Sequence, residues 1–391
     1  MPSIVDADRL AVIRRRFVDF AAAYPSLPLY HAICTASAED DEVAELLLAA
    51  RPGQERPVLL LAALHELVLR LVEVAPDDPP AVARWFASLT DPAQAPAPDE
   101  WRTPGSWPEV RDLVLCHREQ LRATIAGRTV QTNEVNRSTY VLAMLALASP
   151  RRPVALVGFG TSAGLLLTPD RYDVRVTGPG NAELAWGDRS SAVHNRADDR
   201  LGTLTVPALH PPRIVARVGV DLATVPPEDH DTLRWLQACL WPDMPERVER
   251  FRAAVRQRQQ LPHRDRPTLR DGDLTDPDVV HGALAAALGT ATGDAHLVVV
   301  TSWALTYVER SRRVLFAEAL AGFARSSGAR VSWCSAEPAD AVPGLPPLAQ
   351  GADDRGVAQL GVHRWQGADE LDPVSWGSAD PHGRWLEIPR P

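Results

Sequence analysis

The sequence predicts an α/β protein in which an all-α N-terminal region precedes a mostly parallel sheet with an antiparallel C-terminal edge. Residues 1–150 repeat apolar side chains at helical spacing and contain no strand-length segment that alternates apolar and polar residues. From Pro153 onward, short apolar runs alternate with helical segments, which is the pattern of a parallel sheet covered by helices on both faces. We therefore expect a helical cap or substrate-binding region over residues 1–150 and an α/β domain over residues 151–391.

The helices are predicted from apolar periodicity and from the prolines that punctuate it. Before residue 150 they cover 8–24, 42–50, 57–74, 80–89, 107–126 and 132–149. The Pro-rich stretch 92–105 is predicted to be a surface loop. Later helices cover 233–259, with a break at Trp241-Pro-Asp243, then 277–288 and 310–326.

The strands are predicted where apolar runs are too short to form helices. They cover 154–157, 213–220, 268–270, 297–301 and 330–334. A hairpin inserted at about 172–190 is predicted from strands 172–177 and 182–186 on either side of Gly178-Pro-Gly180. Two further strands, 357–364 and 384–388, are predicted to pair as the antiparallel edge of the sheet.

Composition excludes several classes of function. The net charge is −9 and no basic run exceeds three residues, so nucleic acid is not expected as a partner. No apolar run is long enough to cross a bilayer, so no membrane partner is expected either. All 41 basic residues are arginine, which excludes Schiff-base chemistry and the lysine of a P-loop. The four cysteines are widely spaced, so we predict no metal site and a reducing, cytoplasmic location.

The main functional signal is a glycine-rich turn after the first predicted strand. Its candidate ligand-binding residues are Gly158, Gly160, Ser162, Ala163 and Gly164. Glycine lets the backbone bend sharply and lets a ligand approach without a Cβ in the way. We expect a helix to follow, whose unpaired N–H groups would bind a phosphate or the methionine carboxylate of S-adenosylmethionine. A strand, a glycine turn and a helix in this order make the predicted domain Rossmann-like.

Acidic residues follow two later strands. Asp221 comes directly after the strand 213–220, and Asp273 follows the strand 268–270 in the sequence Asp271-Gly-Asp273. At the carboxyl ends of neighbouring strands, such acids accept hydrogen bonds from ribose hydroxyls and an adenine amine. An Asp in this position is equally typical of a helix N-cap or a turn, so both interpretations remain open.

The same turn also matches the nucleophile elbow of α/β-hydrolases, G-x-S-x-G, over Gly160-Thr-Ser-Ala-Gly164. Ser162 would then be the nucleophile, with His363 or His382 as the base. Two observations count against this alternative. Several strands and an oxyanion loop precede the elbow in those hydrolases, whereas the region before residue 150 is predicted to be helical, and no His-Gly-Gly segment occurs there.

A dense polar cluster lies at the start of the helix predicted over 132–149. In a functional interpretation, Glu134, Asn133 and Arg137 are catalytic, Gln131 binds substrate, and the cluster faces the glycine turn. Alternatively, Asn133 caps the helix with Thr132, and Glu134 pairs with Arg137 three residues later.

Arg171 and Tyr172 end the short helix expected after the glycine turn and are further substrate-binding candidates. The guanidinium of Arg171 is suited to a substrate carboxylate. The alternative is a surface ion pair that contributes little to stability.

These residues together resemble a bacterial family, the domain-of-unknown-function family 2332 (DUF2332). The matching segments are Gln131-Thr-Asn-Glu134 with Arg137, Ser162-Ala-Gly-Leu165, Asp170-Arg-Tyr172, Gly219-Val-Asp221, Arg234-Trp235, Trp241-Pro-Asp243, Gly272-Asp273 and the stretch from Trp333 to Glu337. The resemblance covers about residues 9 to 340. The glycine motif of that family is similar to the motif of S-adenosylmethionine-dependent methyltransferases. This chain departs from the family pattern at Gly158, where the family has an acid, and at Leu166, where it has Asn.

The leading hypothesis is therefore a methyltransferase-like protein that binds S-adenosylmethionine and transfers its methyl group to a small molecule. Glu134 would be the base or a substrate anchor. One alternative is a serine hydrolase that uses Ser162. The other is a non-catalytic binding protein built on a degenerate Rossmann-like domain.

Overall fold

A computed structural model describes residues 4–90, 105–149, 152–204, 209–291, 294–348 and 356–389. Most of the Pro-rich loop predicted over 92–105 lies outside the described residues. The chain divides into two units, the first formed by Met1–Asn133 and Asp229–Arg252 and the second by Glu134–Glu228 and Ala253–Pro391. The described part of the first unit contains helices and turns but no strand, and the whole sheet belongs to the second unit.

The helices follow the predicted periodicity closely where they are long. They are α1 (Ile4–Ala23), α2 (Pro28–Ser37), α3 (Asp41–Ala44), α4 (Pro57–Val74), α5 (Trp107–Cys116), α6 (Arg118–Gly127), α7 (Ser138–Ala148), α8 (His230–Ala238), α9 (Pro245–Gln260), α10 (Pro277–Thr290) and α11 (Arg313–Ser327). The predicted break at Trp241-Pro-Asp243 separates α8 from α9. The segment 80–89 contains only the 3₁₀ turn Ala81–Trp85, so the helix predicted there is wrong. No helix in the described ranges is long and apolar enough to cross a membrane.

Helix α2 was not predicted because its N-terminus is capped from far along the chain. Its own N-cap residue, Leu27, has no side-chain hydrogen bond to offer. The carboxylate of Asp243 accepts hydrogen bonds from the amides of Leu29 and Tyr30 at 2.9 and 3.2 Å. Those amides are among the orphan donors of a helix start, and only tertiary structure supplies their acceptor.

The second unit is built on one sheet. Its strands are β1 (Val154–Phe159), β2 (Asp173–Thr177), β3 (Glu183–Gly187), β4 (His194–Asp199), β5 (Ile214–Asp221), β6 (Thr268–Asp271), β7 (His296–Ser302), β8 (Arg330–Glu337), β9 (Ala358–Gln366), β10 (Asp369–Ala379) and β11 (Trp385–Glu387). Their order is β3-β2-β4-β11-β10-β9-β8-β7-β1-β5-β6. Most neighbouring pairs are parallel, which confirms the predicted sheet type.

The five strands β6-β5-β1-β7-β8 form a parallel half of the sheet. Numbered along the chain, their order is 3-2-1-4-5, which is the order of the first five strands of a doubly wound nucleotide-binding sheet. The order reverses between β1 and β7, so the carboxyl ends of these two strands border the place where such sheets bind ligands.

The remaining strands correct the prediction of an antiparallel edge. The predicted strands 357–364 and 384–388 exist as β9 and β11, but β10 lies between them. All three are in the interior of the sheet, whose edges are β3 and β6. The strands β10 and β4 were not predicted because neither has an apolar alternation. The buried side of β4 consists of Asn195, Ala197 and Asp199.

Helices cover the sheet on both faces. Helices α10 and α11 pack on the apolar face of the parallel half, in a core that includes Val157, Val299 and Trp333. Helix α7 packs against β2, β4, β7 and β8. Its residues from Ser138 to Ala146 are all buried, which explains why the helix is apolar on every side after Thr139. The hydroxyl of Tyr140 lies 2.7 Å from that of Ser302, so the N-terminus of α7 lies close to the carboxyl end of β7.

Candidate functional site

The prediction of a helix after the glycine turn is wrong. In the structure β1 is followed by two 3₁₀ turns, Leu165–Leu167 and Pro169–Arg171, and then directly by β2. Gly164 has a left-handed backbone with φ of +66°, and Pro169 cannot continue a helix because it lacks an N–H. The described residues between β1 and β2 thus contain no α-helix N-terminus that could bind an anion.

The glycines of the turn allow close packing. A Cβ on Gly160 would lie 2.5 Å from the Cβ of Ala304, and φ at Gly160 is +74°. A Cβ on Gly158 would lie 2.6 Å from Cγ2 of Thr161 and 2.9 Å from Cδ2 of Leu167. The space beside Gly158, which an open cradle would leave to a ligand, is therefore occupied by side chains of the same segment.

The amides of the turn have acceptors within the protein. Those of Gly160 and Thr161 both donate to the carbonyl of Val220, at 2.9 and 3.3 Å. The amide of Ser162 donates to Oδ2 of Asp221 at 2.8 Å. A carboxylate of the protein thus occupies the position where a phosphate or carboxylate of a ligand was expected. Ala163, another candidate residue of the turn, is fully buried.

The acids after the strands differ in their roles. Asp221 links the end of β5 to the turn after β1, and burial raises the pKa of its carboxyl group. Oδ1 of Asp273 accepts hydrogen bonds from the amide and hydroxyl of Thr275, both at 2.8 Å, and the carboxylate pairs with Arg312. Asp273 thus serves a turn, whereas Asp221 joins two neighbouring strands.

Arg171 and Tyr172 hold the segment between β1 and β2. Arg171 pairs with Asp265 at 3.3 Å. The buried hydroxyl of Tyr172 donates to the carbonyl of Leu165 at 2.7 Å and accepts from the hydroxyl of Thr168 at 3.0 Å. Burial raises the pKa of Tyr172 to about 12. Each group has a structural partner here, and substrate binding by either residue stays a prediction.

The predicted polar cluster is divided between the two units. Gln131 and Asn133 belong to the first unit, where both are half-buried and the side-chain nitrogen of Asn133 has no hydrogen-bond partner. Glu134 and Arg137 belong to the second unit. The roles predicted for Gln131 and Asn133 stay predictions.

Glu134 caps a 3₁₀ turn, Val135–Arg137, that leads into α7. Its Oε1 accepts a hydrogen bond from the amide of Asn136 at 3.0 Å, and its Oε2 lies 4.0 Å from Nδ1 of His382. The side chain of Asn136 donates to the carbonyl of Gly383 at 2.9 Å and accepts from the amide of Arg196. Asn136, which was not singled out in the sequence, therefore fixes the turn between β10 and β11 beside Glu134.

Arg137 lies at the carboxyl end of β7 with only 5% of its surface exposed. Its Nε donates to the carbonyl of Pro381 at 2.9 Å and its Nη1 to the carbonyl of Ser302 at 3.4 Å. Among the described residues no carboxylate oxygen lies within 4.0 Å of this guanidinium. The alternative in which Glu134 pairs with Arg137 is therefore wrong, because two carbonyl groups from distant segments hold the guanidinium.

Two further buried groups complete the cluster. The hydroxyl of Tyr140 lies 2.7 Å from the hydroxyl of Ser302. Burial raises the pKa of Tyr140 to about 12, and the charge of Arg137 opposes that rise. At the end of β8, the fully buried Glu337 accepts from the amides of Ala304 and Leu305 at 3.0 and 3.2 Å. Burial raises the pKa of Glu337 to about 7, against the effect of those bonds and of Arg137.

Glu337 was missed as a site residue, although an acid at the end of a buried strand was a usable signal. In the sequence, the stretch from Trp333 to Glu337 contributes only to the family resemblance. Its position beside the loop after β7 depends on the neighbouring strand, which the sequence pattern does not identify.

The loop after β7 is strained and carries an unsatisfied donor. Trp303 has φ of +58°, a conformation that is rare for a large side chain. Its indole Nε1 is buried without a hydrogen-bond partner. Two apolar side chains at the same edge of the sheet are strongly exposed, Leu222 after β5 (74%) and Tyr307 after β7 (76%). The carboxyl edge thus offers apolar surface to a ligand and carries a buried donor without an acceptor among the described residues.

The hydrolase elements are only partly assembled. Ser162 has a left-handed backbone, with φ of +46°, but no α-helix follows it within the described residues. The ring of His363 stacks between Trp333 and Trp365, with ring centroids 5.1 and 5.9 Å apart. The other candidate base, His382, lies beside Glu134. A strand, turn and helix around the serine, which the elbow requires, are not all present.

Comparison with known proteins identifies a family and no individual relative. The model of the family described as "Uncharacterized protein conserved in bacteria (DUF2332)" matches residues 14–388. No curated protein and no solved structure matches the chain.

Proposed function

Because the chain belongs to the DUF2332 family of uncharacterised bacterial proteins, we propose a function from the geometry of its second unit. The proposed function is binding of S-adenosylmethionine across the carboxyl ends of β5, β1 and β7, and transfer of its methyl group to a small molecule. The ligand would lie over the point where the strand order reverses.

One observation carries this proposal: Asp221 ends the strand next to β1 in a parallel half-sheet of order 3-2-1-4-5. In doubly wound sheets an acid near this position accepts hydrogen bonds from the ribose of a nucleoside. Asp221 is partly buried, and its contact with the amide of Ser162 holds it at the edge of the β1 turn. A carboxylate fixed in this way is suited to a pair of ribose hydroxyls.

The residues around this edge fit such a cofactor in part. Asp221 would hold the ribose, and the exposed side chains of Leu222 and Tyr307 would pack against the adenine. The buried indole N–H of Trp303 has no acceptor among the described residues and would donate to a polar atom of the ligand. The amides of Gly160, Thr161 and Ser162 already have acceptors within the protein, so the amino-acid end of the cofactor would be held by other groups.

When bound, S-adenosylmethionine supplies an electrophilic methyl group. The protein then has to align the methyl acceptor and, where the acceptor carries a proton, to remove that proton. His382 is suited to the second role because its side chain is 36% exposed and its Nδ1 lies 4.0 Å from Oε2 of Glu134. Glu134 would orient the imidazole and stabilise its protonated form.

The first experiment is calorimetric titration of the full chain with S-adenosylmethionine and S-adenosylhomocysteine. We expect saturable binding, and a loss of roughly tenfold or more in affinity in Asp221→Asn, since hydrogen bonds to a charged group are strong. Asp271→Asn is the matched control, because Asp271 is an exposed acid at the end of β6 whose carboxylate accepts from Thr224.

Absence of binding by either nucleoside would overturn the proposal. The same samples should be treated with an active-serine probe. Labelling that disappears in Ser162→Ala would support the hydrolase instead, and silence in both assays would support a non-catalytic binding protein.

A further inference from the structure

Arg137 is a buried cation without a carboxylate partner among the described residues. Only 5% of its surface is exposed, and its hydrogen bonds go to the carbonyls of Pro381 and Ser302. Charged groups are costly to bury unless an opposite charge compensates them. By contrast Arg217, which is also buried in the second unit, binds both carboxylate oxygens of Asp170 at 2.9 and 2.7 Å. A ligand that carries an anion would give Arg137 the partner that Arg217 already has.

A buried opposite charge lies on the same turn as Arg137. Glu134 is 3% exposed and three residues away, and the two side chains do not pair with each other. Both charges act on the hydroxyl of Tyr140, with opposite effects on its pKa. They therefore share one small region at the N-terminus of α7 and are held apart by their separate backbone partners.

The surroundings of Arg137 favour a ligand with one positive and one negative group over a multiply charged anion. Glu134 and the fully buried Glu337 both lie in this region, and Glu337 interacts with the charge of Arg137. A phosphate dianion beside Arg137 would be repelled by these carboxyl groups. A planar carboxylate matches the forked guanidinium, and an ammonium group is attracted to Glu134, which can accept several hydrogen bonds at once.

We propose that Arg137 and Glu134 bind the two charged ends of an α-amino-acid group, its carboxylate on Arg137 and its ammonium on Glu134. This deepens the proposed function and rests on it for the identity of a larger ligand. The group would belong either to a free amino acid or to the methionine end of S-adenosylmethionine. Ser302, which binds Arg137, ends β7, and Asp221 ends β5 two strands away. Two strand spacings make about 10 Å, which suits a molecule with an amino acid at one end and a ribose at the other.

The test uses the intact chain and three small ligands: L-methionine, N-acetyl-L-methionine, which has no ammonium, and L-methioninamide, which has no carboxylate. We expect L-methionine to bind roughly tenfold to a hundredfold more tightly than either analogue, because each analogue lacks one of the two charged groups that the proposed subsite recognises. If L-methionine binds no better than its analogues, the inference is overturned.

Two variants assign the charges. Glu134→Gln is expected to lower the affinity for L-methionine by roughly tenfold and to leave the affinity for N-acetyl-L-methionine unchanged. Arg137→Lys is expected to lower the affinity for both ligands, because it keeps the charge but removes the forked guanidinium. Glu318→Gln and Arg325→Gln, at exposed positions on α11, are the controls. Equal losses for the two ligands in Glu134→Gln would contradict the assignment of the ammonium.

A nucleoside pair separates this inference from the proposed function. 5′-Methylthioadenosine lacks the amino-acid end of S-adenosylhomocysteine but keeps the ribose and adenine. If both bind equally, the proposed cofactor site stands and the amino-acid subsite is overturned. If L-methionine shows the expected preference but neither nucleoside binds, the subsite stands and the proposed function fails.

Discussion

Two turns at the carboxyl edge of the sheet use their polar groups in opposite ways. The glycine-rich turn 158–164 after β1 has the stronger sequence motif, yet its amides donate to Val220 and Asp221. The turn 134–137 before α7 has no glycine motif, yet it holds a buried cation whose hydrogen bonds go only to carbonyl groups. A glycine pattern predicts the bend of a backbone, but the neighbouring strands decide whether its amides are available to a ligand.

The largest expected effect tests whether the glycine turn is closed by packing. Gly160→Ala should lower the free energy of unfolding by about 3 kcal/mol, because the new Cβ meets Ala304 at 2.5 Å and φ is +74°. Gly328→Ala is the control: φ there is +67° but nothing lies within 4 Å, so a loss of only about 1 kcal/mol is expected. Urea unfolding of the two variants measures the difference, and equal losses would mean that the turn is open beside Ala304.

The second expected effect compares the two buried arginines. Arg217→Met should cost about 3 kcal/mol, because it leaves Asp170 without the guanidinium that binds both its oxygens. Arg137→Met should cost only about 1 kcal/mol, since it leaves carbonyls unbonded but also removes a buried charge that forms no ion pair within 4.0 Å among the described residues. Thermal or urea unfolding provides the measurement. A larger loss in Arg137→Met would show that its charge is compensated in the folded protein.

The smallest expected effect is a pH dependence that comes from Glu337. Its pKa rises from near 4.5 to about 7 on folding, so the folded state binds more protons than the unfolded state between these values. This contribution to stability is fully present below pH 4.5 and is lost as the pH rises through 7. Between pH 8 and 6 it should therefore increase the free energy of unfolding by about 1 kcal/mol. Glu337→Gln removes the titrating group, and an unchanged pH profile in that variant would assign the effect elsewhere.

The sequence predicted the parts of the fold that depend on local pattern. Helix α4 begins at Pro57 and ends at Val74 as predicted. Proline is favoured in the first turn of a helix, and most of the side chains that follow are apolar and buried. The hairpin β2–β3 was confirmed, since Gly178-Pro-Gly180 separates two short apolar strands. Of the residues in the candidate site, Glu134, Arg137 and Asp221 were predicted from the sequence, whereas Glu337 and Asn136 were not. The side chains of Glu337 and Asn136 form hydrogen bonds with segments that lie far away along the chain.

The amino-acid sequence by itself determined the helical N-terminal region, the alternation of strands and helices from β5 to β8, and the bend at Gly160. Each of these follows from side chains that are neighbours along the chain. Tertiary structure alone decided that β10 separates β9 from β11, that Asp243 caps α2, and that Arg137 binds Pro381 and Ser302 rather than Glu134. The physical reason is the same in all three cases, because a hydrogen-bonding group bonds to whatever partner folding brings near it, and that partner can be more than two hundred residues away.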